Sequence, residues 1–112
     1  MSYKIKSRIW IESENNVILG EGRVQLLKAI NETGSLSKAA RLLDISYKKA
    51  WGLINSVNNA AKKPVTINSV GGKGGGGTEL TNYGKTLINM FDEVNKNCWI
   101  FLDEQLEKFN NL

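Results

Sequence analysis

The sequence predicts a mainly α fold with small β elements (α+β), and three observations carry that expectation. Two helical stretches joined by a tight turn fill 35–62. A glycine-rich tip separates two short alternating runs between 65 and 80. One long apolar stripe at helical spacing then occupies 82–109. An N-terminal β-hairpin over 3–19 and a helix over 21–32 precede them, and the whole of 1–112 is expected to form a single domain.

Each element follows from its own residues. Tyr3, Ile5, Ser7, Ile9 and Ile11 alternate with Lys4, Lys6, Arg8, Trp10 and Glu12, so 3–12 reads as a strand with one buried face. Glu14-Asn15-Asn16 is turn chemistry, and Val17-Ile18-Leu19 returns as a second strand. Trp10, on the polar side, is expected to cover a neighbouring element. Val24, Leu27 and Ile30, widened by Leu26, give the helix over 21–32 its apolar stripe, and Gly34 ends the segment. Ser35 and Ser37 offer oxygens to cap the next helix, whose apolar face is expected from Ala39, Ala40, Leu42 and Leu43. Ser46 caps another, running to about Ala61 with a core stripe of Ala50, Trp51, Ile54, Val57 and Ala61. Pro64 stops it. Val65, Ile67 and Ser69 are then expected on one face of a strand, and Thr78-Glu79-Leu80 returns after the glycines. Thr81-Asn82 opens the final helix, longer than so small a body needs.

Composition narrows the chemistry. The net charge is +4, but up to Gly77 there are 12 Lys+Arg against 5 Asp+Glu, and from Thr78 onward 3 against 6. A basic body with an acidic tail fits a polyanion partner for the first part alone. There is no histidine, which removes His-based acid–base catalysis and the usual zinc sites, and Cys98 is the single cysteine. Gly84-Lys85-Thr86 resembles the end of a phosphate-binding loop, yet position 79, where that motif needs glycine, is Glu. An enzyme, a metal site and a nucleotide site all lack support. No apolar run reaches the length of a membrane span and no signal peptide is visible, so a cytoplasmic protein without membrane contact is expected.

What remains is a nucleic-acid reader. Lys48 and Lys49 stand in the first turn of a helix, where the dipole favours anions, so folding alone does not place them there. The layout is that of a helix-turn-helix whose second helix enters the major groove of double-stranded DNA. Tyr47, Lys48, Lys49 and Asn55 are expected to read base edges. Ser35, Ser37, Lys38, Arg41 and Ser46 are expected to hold phosphates. Lys48, Gly52, Asn55 and Asn59 form one row, and a helix-interior glycine costs about 1 kcal/mol against alanine, so Gly52 points to a close approach. Gly72, Lys73, Gly74 and Gly75 at the hairpin tip are expected to form a wing that lies along the sugar-phosphate backbone or in the minor groove. The excess apolar length of the last helix calls for a second copy of the chain, with Leu87, Phe91, Val94, Cys98, Phe101 and Leu102 as the homodimer interface.

Gly20-Glu21-Gly22-Arg23, Thr33-Gly34-Ser35, Ser46-Tyr47-Lys48-Lys49-Ala50-Trp51, Pro64-Val65, Gly71-Gly72-Lys73-Gly74-Gly75-Gly76 and Leu80-Thr81-Asn82-Tyr83-Gly84 together resemble the N-terminal DNA-binding domain of ModE-type molybdate-dependent transcriptional regulators. The resemblance covers roughly Trp10 to Leu87. It implies a winged helix-turn-helix related to the LysR type, dimeric through its terminal helices and bound to palindromic operator DNA. In that family the positions of Lys48 and Lys49 are often arginine; lysine keeps the charge but lacks the bidentate fork that reads guanine. Full-length members bind molybdate in a separate C-terminal region that these 112 residues do not include. The resemblance therefore implies a reader without cofactor or small-molecule effector, expected as a stand-alone regulator rather than an excised domain. The rival from another class is a winged-helix protein-interaction module without sequence-specific DNA binding.

Overall fold

The computed structural model describes residues 3–69 and 77–109. Its elements run β1 (Trp10–Ser13), β2 (Asn16–Gly20), α1 (Glu21–Thr33), α2 (Leu36–Leu42), α3 (Tyr47–Ala60), β3 (Thr66–Ser69), β4 (Gly77–Leu80) and α4 (Asn82–Glu107). The strands form two separate antiparallel pairs, β1 with β2 and β3 with β4. This is an α+β fold of the winged-helix kind.

The predicted first strand is much shorter than its alternation. Ile5, Ser7 and Ile9 are half-buried while Lys4, Lys6 and Arg8 are exposed, yet pairing begins only at Trp10. The period of two is real, but what the inner face meets is helix rather than strand: Ser7 Oγ lies 3.6 Å from Cys98 Sγ on α4. Alternation reports one covered face and cannot say what covers it. The β1–β2 turn is tight, with Glu14 and Asn15 both at positive φ (51° and 68°), the combination that matches the twist of a two-residue hairpin. A register shift between Ile11 and Glu12 leaves Ile18 without an opposite residue. Trp10, expected to cover a neighbouring element, is instead more than half open to solvent. Its indole N–H donates to Glu12 Oε2 at 2.6 Å.

α1 is the central element, carrying Val24, Leu26, Leu27, Ala29 and Ile30 into the core. Gly34 closes it at φ 71°, its N–H donating to the Ile30 carbonyl at 2.7 Å. This is a left-handed C-terminal residue that glycine adopts without a Cβ penalty. The Gly34 carbonyl in turn accepts from Thr78 N–H at 3.0 Å, which pins β4 to the α1–α2 corner. A Cβ at Gly77 would sit 2.7 Å from that same carbonyl oxygen, so glycine is required for the approach.

α4 starts at a conventional cap and then outruns the body. Thr81 Oγ1 accepts from Gly84 N–H at 2.9 Å and donates to the Pro64 carbonyl at 2.8 Å. Gly84 passes so close to the Val65 carbonyl that a Cβ there would collide with backbone. The glycine of the rejected phosphate-loop resemblance thus has a packing reason. Gly84, Ile88 and Phe91 are buried, and Lys28 Nζ on α1 meets Asp92 Oδ2 at 2.8 Å. At 26 residues α4 is about 39 Å long. The radius of gyration is 17.2 Å, against about 13 Å for a compact chain of this size. Among the described residues no helix is long and apolar enough to cross a membrane.

Four packing expectations are corrected. Leu42 lies outside the apolar face of α2 and is exposed, because the turn after it directs Leu43 and Ile45 inward instead. Trp51 is 54% exposed rather than in the core stripe of α3. At the start of the wing the inward residues are Val65, just before β3, and Thr66, its first residue, which leaves Ile67 exposed; Asn58 holds that arrangement by accepting from both Val65 N–H (2.7 Å) and Thr66 N–H (3.2 Å). Phe91, expected at a dimer interface, is 4% exposed within the chain's own core.

Candidate nucleic-acid interface

The site is built on the α2–α3 corner. Ser35 Oγ accepts from Lys38 N–H at 3.1 Å and Ser46 Oγ accepts from Lys49 N–H at 3.0 Å, so both helices begin on a serine cap. Between them Ile45 N–H donates to the Ala40 carbonyl at 3.0 Å, and Asp44 adopts φ 57°. A left-handed residue at that point reverses the chain in few residues, and aspartate tolerates it better than most. Ala39, Ala40 and Ala50 are buried. Small residues at these positions let α2 and α3 cross closely.

This corner presents the predicted residues outward. Ser37, Lys38 and Arg41 are exposed on α2, and Tyr47, Lys48, Lys49, Gly52, Asn55 and Asn59 are exposed on α3. Ser35 is half-buried and Ser46 exposed, and both carry caps. Neither α2 nor α3 has an acidic residue in its first turn. Among the described residues the ion pairs are Arg8–Glu21 and Lys28–Asp92, so no carboxylate neutralises the lysines of α3. At about 100° of rotation per residue, Lys48, Gly52, Asn55 and Asn59 share the middle of the outward face. Lys49 falls roughly 100° to one side of Lys48, so the two lysines diverge. A Cβ at Gly52 would meet nothing within 4 Å. The close approach that its glycine invites is therefore not made by this chain.

The wing flanks α3 through a bracket that the sequence does not announce. Besides its two accepted backbone bonds, Asn58 donates from Nδ2 to Thr66 Oγ1 at 3.0 Å. Thr78 Oγ1 donates to Asn68 Oδ1 at 3.1 Å across the strand pair. One asparagine thereby fixes the root of the hairpin against α3. Its only sequence signal is a polar residue beside the apolar stripe of α3, six positions before a proline. The predicted tip residues Gly72, Lys73, Gly74 and Gly75 lie outside the described residues. Of the residues expected at a dimer interface, Leu87 is half-buried against the core. Cys98 and Leu102 are half-buried, while Val94 and Phe101 are exposed on α4.

Over 106 residues the chain is 34% identical to the molybdenum transport protein ModE of Azotobacter vinelandii, covering 95% of this chain and 39% of that protein. Over 70 residues it is 49% identical to the transcriptional regulator ModE of Yersinia pestis, covering 62% of this chain and 27% of that protein. The chain is a ModE-type N-terminal region. The DNA-binding transcriptional dual regulator ModE of Escherichia coli K12 is 46% identical over 70 residues, 62% of this chain and 27% of that protein. No family model matches the chain. This ModE-type chain spans only 27% to 39% of the length of these relatives.

Proposed function

We propose that this ModE-type chain is a sequence-specific, DNA-binding transcription regulator that grips palindromic duplex DNA as a homodimer. The observation that carries the reading is the exposed start of α3, where Lys48 and Lys49 stand without a neutralising carboxylate on a helix begun by the Ser46 cap. Cations oppose the dipole at that end of a helix, and a phosphate-lined groove reverses the penalty. In this reading Lys48 and Asn55 meet base edges from the middle of the face, and Tyr47 and Lys49 reach base edges from its two sides, each about 100° from Lys48. Ser35, Ser37, Lys38, Arg41 and Ser46 position the backbone. Three relatives named as ModE, two of them as transcriptional regulators, support it.

The second copy docks along α4. Met90, Val94 and Phe101 fall within about 40° of one another around the helix axis, all exposed. Cys98 borders them, Leu102 lies about 80–120° further round on the side of Phe91, and Phe91 is excluded by its burial. A two-fold dimer on this face presents two α3 helices to two half-sites. Selection of bound sequences from random duplex DNA tests the reading. The expected outcome is an enriched site with two-fold symmetry. Binding without enrichment, insensitive to salt, contradicts it and favours a protein-interaction module.

A further inference from the structure

Trp51 is the residue on α3 whose position sequence periodicity misplaces, and its exposure has no folding benefit. A buried indole removes a large apolar area from water, yet this one is 54% exposed two and three residues after the paired lysines of α3. It stands four residues after Tyr47 and four before Asn55, about 60° around α3 from Lys48. That places it on the side of the helix facing the wing. There Trp51, Asn55 and Asn58 wall a shallow cleft whose opposite wall includes Asn68 and Thr78. Gly52 beside it leaves open space where a side chain would otherwise stand.

We propose that Trp51 is a specificity-determining residue that reads thymine, its indole packing on the 5-methyl group in the major groove. The inference rests on the DNA-binding reading above. Of the groups a base pair presents in that groove, the thymine methyl is the apolar one, and apolar side chains recognise it. Lysines cannot supply this discrimination: an ammonium seeks phosphates and the acceptor atoms of purines. The α3 surface thus divides into a charged centre at Lys48 and an apolar reader on its wing side.

The test measures affinity of the full chain for a duplex recovered by selection, with each thymidine replaced in turn by deoxyuridine. Removing one contacted methyl is expected to weaken wild-type binding about four-fold at that position. Trp51→Ala is expected to bind the thymine and uracil duplexes equally, while Lys48→Ala lowers affinity for both and keeps their ratio. A thermal melt of Trp51→Ala checks that the exposed position tolerates the change. If wild type is blind to the methyl, or Trp51→Ala still discriminates, the assignment is overturned. Equal weakening of both duplexes by Trp51→Ala, with wild type blind, places the indole on sugar instead and also overturns it. Salt-sensitive duplex binding without methyl discrimination sinks this inference alone; no salt-sensitive binding at all sinks the DNA-binding reading with it.

Discussion

The outward face of α3 and the outward face of the far half of α4 are both left uncovered by the chain, and their chemistry is opposite. On α3 the exposed residues are Lys48, Lys49, Gly52, Asn55 and Asn59, with Tyr47 and Trp51 at one side. On α4 they include Val94, Ile100 and Phe101, among Asp103, Glu104 and Glu107. The contrast teaches that exposure alone does not define a binding face. A polar, cationic surface loses little in water and gains from a polyanion; an apolar row on an acidic helix gains only by meeting another apolar surface. In the function proposed above the two faces belong to different partners, DNA for α3 and a second copy of the chain for α4.

Variants on each face break the comparison in different readouts. Replacing Lys48 and Lys49 together by Ala is expected to cost about 2–6 kcal/mol in operator binding, with the oligomeric state in sedimentation unchanged. Phe101→Glu puts an unpaired charge on the apolar row and should cost the dimer about 2 kcal/mol or more. Sedimentation equilibrium reads that as monomer, and operator affinity falls because half-sites bind singly. Gly84→Val tests the root of α4 rather than its face. Overpacking against the Val65 backbone is expected to cost about 1–3 kcal/mol of folding stability, seen as a lower thermal midpoint. Gly52→Ala separates folding from function: it should raise stability by up to about 1 kcal/mol, since a Cβ there meets nothing, while weakening DNA binding. An affinity unchanged by Gly52→Ala would remove the close approach from the account.

What the sequence discloses is mostly local. Ser35, Ser46 and Thr81 announce helix starts because a cap requires only its own turn. Gly34 announces a stop for the same reason. α1 begins at Glu21 as expected and runs one residue past 32. What stays hidden depends on partners distant in the chain. Trp51 and Leu42 occupy apolar-looking positions, but their burial depends on how neighbouring elements cross. Alternation points Ile67 inward, whereas Asn58 sets the register from another element. Phe91 and Phe101 belong to one apolar stripe in sequence. Only packing separates the first, inside the core, from the second, on the surface. The exposure of the α3 lysines is readable because charge in a first helical turn violates a local rule, and the structure leaves both side chains on the surface.

The central claim is that α3, and not the far half of α4, is the surface that meets DNA. Amide chemical-shift mapping of the full chain during titration with a selected duplex tests it most directly. Shifts are expected to concentrate on Lys38 and Arg41 of α2 and on Tyr47, Lys48, Trp51, Gly52 and Asn55 of α3, with Val94 to Glu107 unmoved. Shifts confined to α4 or to the β1–β2 hairpin, with α3 silent, would contradict it.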